Sequence, residues 1–374
     1  MKKKQNSCQR IIIKVGTSTL TAGRTKLYLP AILNIVQQIA VLHNLGKEVI
    51  LVTSGAIAAG SEMIRSPETS AHIPAKQMLA ALGQPRLMEI YAQLFRVYGL
   101  QVAQVLLTRA DLSQRRGYIN ARNTLTSLLE SGIIPIVNEN DAVATEEIRV
   151  GDNDNLSALV ANLVEADQLV LLTDQAGLYT SDPRSDQNAK LIHEITETEI
   201  PAEIWKAAGG TNTGLGIGGM LTKIKAADLA RRSGTEVIIA PGDGRDILIR
   251  IADHERVGTR ISALISKVES RKRYFLAGIK TSRASIVVDA GAVKALQSGS
   301  SLLPVGVISV KGKFDRGDVV KLAQENETPI AMGLINYAAD DVRRICRHKS
   351  EEIESILGYN FGDEVIHRSN LILL

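Results

Sequence analysis

Three short stretches bring together residues that could do chemistry. "NENDAVATEEIRVGDNDN", Asn138 to Asn155, holds six carboxylates (Glu139, Asp141, Glu146, Glu147, Asp152 and Asp154) between a Val/Ile-rich run and a helical pattern. Such crowding suits either a solvated acidic loop or a site for a cation. "KVGTSTL" places Lys14 at the end of a strand otherwise made of Ile and Val, with Gly16, Thr17 and Ser18 directly after it. Charge and donors there would suit a phosphate, whereas a lysine snorkelling to the rim of a sheet would need neither. "GLGIGGMLTK" ends on Lys223: its glycines let backbone N–H groups approach an anion, and the helix that follows turns its positive end toward the same place. A flexible surface loop would also be glycine-rich.

Two further turns are candidates. "SGAIAAG" sets Ser54 and Gly55 at a helix start, as an N-cap or a binding turn, and "TDQAGLY" gives Thr173, Asp174 and Gly177, an Asx-type turn or a ligand contact. Neither GxxxxGK[ST] nor a GxGxxG after the first strand occurs, so any phosphate site is of another kind than the P-loop or the dinucleotide fold.

These residues need a frame to hold them. "RIIIKV", "EVILVTS", "IIPIVN", "QLVLLTD" and "EVIIA" are near-continuous apolar runs, the pattern of strands buried on both faces. "LPAILNIVQQIAVLHNL" and "AKQMLAALGQPRLMEIYAQLFRVYG" repeat apolar residues at three and four, as helices do. The alternation predicts βα units wound about a parallel sheet, an α/β sandwich. Ligands of such sheets collect at the carboxyl ends of the strands, where all five turns fall.

After "ISALISKVESRKRYF" the rhythm changes to short alternating runs with Gly turns, such as "ASIVVDAGA" and "VGVISVKGKFDRGDVVKL". We place a first, larger α/β domain at 1–262, a linker at 263–276 and a small, mostly β domain at 277–374.

The 374 residues, 45% of them hydrophobic, allow two cores, and aromatics at 3% leave these to Leu, Ile, Val and Ala. The basic start "MKKKQNSCQR" is followed by too short an apolar run for a signal peptide, and no stretch is long enough to span a membrane, so a cytoplasmic protein is expected. Cys8 and Cys346 are too few and too far apart for a disulfide framework, and the six histidines show no metal-ligand spacing. The net charge of +4 lies entirely upstream of residue 277, because the tail carries 12 Lys/Arg against 12 Asp/Glu. With its aromatics Phe314, Tyr337, Tyr359 and Phe361 apart in sequence, the tail shows neither an electrostatic footprint nor a stacking platform for nucleic acid.

Taken in order, "KVGTSTL", "VTSGAIAAG", "KQMLAALGQ", "LLTRAD", "NENDAVA", "VGDNDNLSA", "LLTDQAGLYTSDPR" and "GIGGMLTK" resemble the amino acid kinase family, and "GSSLLPVGV" and "FDRGDVV" resemble the PUA domain that some members append. The resemblance implies a three-layer α/β/α sandwich with a mostly parallel sheet, and ATP-dependent phosphorylation of the side-chain carboxylate of L-glutamate to L-glutamyl 5-phosphate, the opening step of proline synthesis. It implies Mg²⁺ held mainly by the ATP phosphates rather than by firm protein ligands, L-proline as feedback inhibitor, and a homodimer or homotetramer. Lys14, Lys223 and Asp154 resemble the catalytic set. Ser54, Asp141 and Asn153, with Asp152 close by, resemble the glutamate contacts. Lys14, Gly16, Thr173, Asp174 and the run Ile217, Gly218, Gly219, Met220, Leu221, Thr222, Lys223 resemble the ATP site. Ile217 departs from the small polar residue usual there.

The chemistry fits that reading. A carboxylate nucleophile is already ionised at neutral pH and needs no general base, but it must approach a triphosphate of like charge. Lys14 and Lys223 would quench that repulsion, Asp154 would hold both ammonium groups, and Asp141 aided by Asp152 would receive the substrate's α-ammonium. Glu146 and Glu147 would face solvent. Relatives acting on N-acetylglutamate or aspartate usually show a second glycine after the first lysine, where this chain has Lys14-Val15-Gly16-Thr17. Those acceptors, UMP, and an RNA-associated regulatory role of the tail are the alternatives.

Overall fold

The computed structural model describes residues 10–64, 72–144, 152–209, 219–267, 269–270 and 284–374. The chain divides into two compact units, one of residues 1–110 and 121–267, the other of 111–120 and 268–374.

The first unit is built on a parallel sheet. Its strands are β1 (Arg10–Val15), β2 (Glu48–Thr53), β3 (Val102–Leu107), β4 (Ile134–Glu139), β5 (Gln168–Thr173), β8 (Glu194–Ile195), β9 (Glu236–Pro241) and β10 (Thr259–Ile261), while β6 (Leu178–Tyr179) and β7 (Leu191–Ile192) form a separate ribbon. The order is β3-β4-β2-β1-β5-β9-β10-β8, with only β10 antiparallel to its neighbour β9. The five strands read from the sequence are all present. Sequence reading missed β3, an edge strand whose half-exposed pattern tolerates Gln104 and so lacks the continuous apolar signal.

Its helices are α1 (Thr17–Thr21), α2 (Leu29–Asn44), α3 (Ala56–Met63), α4 (Ile73–Val97), α7 (Asp152–Leu163), α8 (Ala202–Gly209), α9 (Met220–Arg232) and α10 (Ile247–Ala252), while α5 (Arg109–Ser113) and α6 (Arg115–Glu130) each include residues of both units. One apolar layer joins Ile11 and Ile13 of β1 to Ile35, Ile39 and Leu42 of α2 and to Leu87, Tyr91 and Phe95 of α4. Helices α3 and α4 cross so closely that a Cβ on Gly83 would lie 1.9 Å from the carbonyl oxygen of Ala56, and one on Gly60 would lie 2.0 Å from that of Leu79. Only glycine permits that approach, which fixes α4 over the turn that starts α3.

The chain enters β2 on one side of β1 and later β5 on the other. That reversal is a topological switch point, where an open parallel sheet leaves a crevice at the carboxyl ends of its strands.

The second unit is a five-stranded, mostly antiparallel sheet, β12-β11-β13-β14-β15, formed by β11 (Ser285–Val288), β12 (Val307–Lys311), β13 (Val319–Ala323), β14 (Pro329–Leu334) and β15 (Leu371–Leu373). It takes in Asp111–Asn120 from the middle of the chain. Ile119 packs with Val319, Met332 and Leu334, Arg115 pairs with Asp318, and Arg116 lies 3.7 Å from Asp315. The sequence gives no sign of this grouping, because Ile119 reads equally well as part of a helix in the first domain.

One expectation about this unit is corrected. The aromatics do not stay apart: Phe361 has its ring centroid 5.8 Å from that of Tyr337 and 4.9 Å from that of Tyr359, and the Arg316 guanidinium lies 3.7 Å from its centroid. The loop from Tyr359 to Gly362 wraps the Tyr337 hydroxyl, which donates to Asn360 Oδ1 or to the Gly362 carbonyl and accepts from the Phe361 N–H. Of the linker read at 263–276, residues 268 and 271–276 lie outside the described set. No helix among the described residues is long and apolar enough to cross a membrane.

Candidate active site

The crevice above the switch point is where the sequence-predicted residues meet. Lys14 is the next-to-last residue of β1, in register with Val52 of β2 and Leu171 of β5. A side chain there stands off one face of the sheet, within one residue of its carboxyl edge. Asp154 lies in the first turn of α7, and Thr222 and Lys223 in the first turn of α9. Two helices therefore point their N-terminal ends at one strand end.

Their contacts are direct. Lys14 Nζ lies 2.6 Å from Asp154 Oδ1, and Lys223 Nζ donates to Asp154 Oδ2 at 3.2 Å. Thr222 Oγ1 is 2.7 Å from the same Oδ2 and 2.8 Å from the Gly219 carbonyl oxygen. A hydroxyl has one proton, so these two acceptors share it. The three charged residues are 4%, 0% and 7% exposed for Lys14, Asp154 and Lys223.

The charges decide what this arrangement can do. Among the described residues, two ammonium groups meet on one carboxylate in a nearly dry place, an arrangement that favours the arrival of an anion. Burial, ahead of every other cause, pulls Lys14 below its ordinary pKa; Asp154 opposes this and Lys223 adds to it. Burial pushes Asp154 the other way, upward, but Lys14 and then Lys223 outweigh it and hold the carboxyl below the usual range.

Space is kept for the anion. A Cβ on Gly16 would lie 3.4 Å from Lys14 Nζ and 3.8 Å from Ser18 Oγ, so any other residue would fill the volume beside the ammonium. Gly219 caps α9 in an extended conformation, with Met220, Leu221, Thr222 and Lys223 forming the first turn behind it. Such an end offers unpaired N–H groups and a positive dipole. Thr173 closes β5 one residue beyond the level of Val15, and its Oγ1 donates to Asp174 Oδ1 at 3.0 Å. Both sit on the same edge of the sheet, and no bond joins them to the lysine cluster. Ile217 and Gly218, read as part of the ATP site, lie outside the described residues.

Beside the charges is a neutral group. Ser54 follows β2, its N–H bonded to the Val15 carbonyl at 3.1 Å, and Gly55 then takes a left-handed turn (φ 103°) into α3. Asn153, one residue before Asp154, donates through Nδ2 to Ser54 Oγ at 2.9 Å and to Asn138 Oδ1 at 3.1 Å. Its own Oδ1 is buried and has no hydrogen-bond partner among the described residues. Asp141 lies in the turn after β4, half-buried. Asp152 opens α7, but its side chain is outside the described residues, as are Glu146 and Glu147. Among the described residues no three His, Cys, Asp or Glu side chains converge as a metal site.

Sequence reading did not single out Asn138 or Gln84 as part of this group, and it put Thr222 with the nucleotide rather than against Asp154. Neutral amides carry no charge signature, and the helical pattern alone does not say which carboxylate Thr222 will meet.

Two buried lysines on one aspartate at the switch point of a parallel sheet make a site suited to an anion, and the comparisons show the family. The model of the amino acid kinase family matches residues 9–241 and that of the PUA domain residues 284–357. The chain belongs to the amino acid kinase family, with an appended PUA domain. Proteins named glutamate 5-kinase are similar along almost the whole length: that of Shewanella oneidensis is 49% identical over 98% of both chains, that of Deinococcus radiodurans 48% over 98% of this chain and all of the relative, and that of Photobacterium profundum 51% over 98% and 96%. Among solved structures, a UMP kinase from Bacillus anthracis superposes with a TM-score of 0.48 at 16% identity, over 70% of this chain and 98% of its own.

Proposed function

We propose that the chain transfers the γ-phosphoryl group of ATP to the side-chain carboxylate of L-glutamate, giving L-glutamyl 5-phosphate and opening proline synthesis. The observation that carries this reading is the buried Lys14–Asp154–Lys223 cluster, two ammonium groups on one carboxylate, next to an amide oxygen of Asn153 that has no partner among the described residues. The name of the relatives supports the choice of glutamate.

In the transfer, a carboxylate oxygen of glutamate forms a bond to the γ-phosphorus while the bond from that phosphorus to the β–γ bridging oxygen breaks, its electron pair leaving on ADP. No proton is moved, so the residues act by alignment and charge. Lys14, beside the space kept by Gly16, meets the transferring group from the β1 side, and Lys223 meets it from α9. Asp154 touches no phosphate in this scheme; it holds both ammonium groups where the anion will be. Mg²⁺ bound with the nucleotide would supply further charge neutralisation. Asn153 Oδ1 and Asp141 receive the substrate's α-ammonium, a cation that needs acceptors in a half-dry crevice.

L-proline shares the ammonium and α-carboxylate of glutamate, so inhibition through the same pocket is part of the proposal. The exposed apolar residues on α2 and α4, among them Leu29, Leu33, Met78 and Leu82, suit a homo-oligomer, dimer or tetramer, acting in the cytoplasm.

The test is release of ADP and capture of the acyl phosphate as a hydroxamate, with glutamate, aspartate, N-acetylglutamate and UMP as acceptors, each with and without L-proline. Turnover restricted to glutamate and lowered by proline is expected. Turnover of N-acetylglutamate or UMP in preference to glutamate overturns the reading.

A further inference from the structure

Helix α1 follows Gly16 directly and is only five residues long. One side of it is exposed and carries Ser18, whose Oγ lies beside the space that Gly16 leaves next to Lys14. The other side is buried, and there Thr19 leans on Gly242, in the turn after β9. A Cβ on Gly242 would lie 2.4 Å from Thr19 Cγ2, 2.9 Å from its Oγ1 and 3.2 Å from its Cβ. Only a residue without a side chain fits that contact.

Neither partner can give way cheaply. Both branches of Thr19 face the glycine, so turning χ1 from one staggered well to another always leaves a heavy atom toward it. Gly242 is held from behind: its N–H donates to the Thr173 carbonyl at 2.7 Å, and farther along the chain the Leu248 N–H donates at 2.8 Å to Oε1 of Gln38, a buried residue of α2. The Thr19 hydroxyl is buried and has no hydrogen-bond partner among the described residues, so the contact is one of shape. Gly242 thereby sets the spacing between two pieces of the ATP site as read above: α1 behind Gly16, and the end of β5 with Thr173 and Asp174.

We infer that Gly242 is a positioning residue for the nucleoside triphosphate: its missing side chain lets α1 seat against the end of β5, so that Gly16 and Ser18 stand at a fixed distance from Thr173 across the space the phosphates enter. Ser54, and the Asn153 that bonds to it, belong to the β2 side of β1, away from this junction, so glutamate binding does not depend on it. The inference rests on the proposed function and adds to it a determinant of nucleotide affinity outside the contact residues.

Gly242→Ala loads the contact with one carbon, and the KM for ATP is expected to rise about tenfold while the KM for L-glutamate keeps its value. Thr19→Ala alone removes no hydrogen bond and leaves both constants near those of the wild type. Combined with Gly242→Ala it takes away Cγ2 and Oγ1, the two atoms most in the way, and brings the KM for ATP back. Should Gly242→Ala not fold, Thr19→Ile crowds the same contact from the α1 side and is expected to give the same split between the two KM values. A glycine needed for folding alone lowers Tm and leaves both KM values unchanged. That result overturns the inference, as does a KM for glutamate that rises as far as that for ATP, or a double variant as impaired as Gly242→Ala. A wild-type chain that releases no ADP from ATP in the presence of glutamate removes the proposed function, and this inference with it.

Discussion

Asn153 and Asp154 are neighbours in one helical turn, yet they head two networks of opposite kind. Asp154 gathers charge: two ammonium groups and a hydroxyl converge on its carboxylate. Asn153 gathers neutral dipoles: a serine, another asparagine and two glutamines follow behind it. Among the described residues the charged network holds two cations on one carboxylate, and the neutral one leaves the Asn153 oxygen without a donor. Each arrangement describes what is to be bound, and a phosphate beside an ammonium-bearing acid suits both. Charge sets how strongly the transferring group is stabilised; dipole direction sets which molecule is placed beside it.

Removing the hub of the charged network is expected to have the largest effect. Asp154→Asn removes the carboxylate that the buried Lys14 and Lys223 share, a loss of about 3–5 kcal/mol for a buried pair broken on one side. The pH dependence follows by sign. Asp154 has its folded pKa held below the ordinary value, so its contribution to stability is present above the usual carboxylate range and disappears as pH falls through the lowered value. Lys14 is lowered too, so activity that needs its ammonium is lost on the alkaline side at a pH below the ordinary 10.5 of lysine. Since Asp154 is what opposes that lowering, its replacement moves the alkaline limb of kcat/KM to still lower pH. A pH profile of the variant that overlays the wild type contradicts the organising role.

Next come the lysines, and here the two networks part most clearly. At ~4 Å and an effective dielectric of about 20, one ammonium on the transferring group is worth roughly 4 kcal/mol. Lys14→Ala or Lys223→Ala is therefore expected to lower kcat about a thousandfold. Stability should follow less steeply. Either variant still leaves one ammonium on Asp154, so the fall in Tm without nucleotide is expected to be smaller than in Asp154→Asn. A variant keeping more than half the wild-type kcat takes that lysine out of the mechanism.

These two networks differ also in how far the sequence discloses them. A lysine closing a run of Ile and Val is visible by contrast, and the glycines before Lys223 mark a place where backbone approaches something. Asp154 is not visible in that way. It is one of six acids in 18 residues, and only the resemblance in "VGDNDNLSA" distinguishes it until the fold buries it completely. The line of amides behind Asn153, through Asn138 and Gln84 to Gln104, is hidden altogether. Its links span 15, 54 and 20 residues and join elements that neither period nor composition pairs. The same holds for Tyr337, Tyr359 and Phe361, whose meeting on Arg316 depends on a loop closure that no local pattern announces.

Thr222 tests the border between the networks, since it is neutral yet serves the charge. Its hydroxyl reaches Asp154 Oδ2 from the turn capped by Gly219. Thr222→Val keeps the shape and removes one hydrogen bond to a carboxylate, worth about 1.5 kcal/mol, or roughly tenfold in kcat. Thr222→Ser is expected to restore the rate. A valine variant with unchanged kcat and a raised KM for ATP instead assigns the hydroxyl to the nucleotide alone.

The smallest effect is expected one layer behind Ser54. The Tyr91 hydroxyl of α4 meets Thr53 Oγ1 at 2.8 Å, both buried, while Thr53 Oγ1 also lies 3.0 Å from the Ser54 carbonyl oxygen. Burial pushes the Tyr91 hydroxyl far above its ordinary pKa, only partly offset by Thr53, so the phenol stays neutral across the working range and adds no charge to the crevice. Tyr91→Phe removes one neutral bond, and Thr53 keeps its partner at Ser54; stability is expected to fall by about 1 kcal/mol, read from denaturant unfolding. Because the turn is still held by the left-handed Gly55 and by the Ser54 N–H on Val15, the KM for glutamate should stay the same. A large rise in that KM would show that the placing of Ser54 depends on the layer beneath it, so that selection by neutral dipoles reaches into the core.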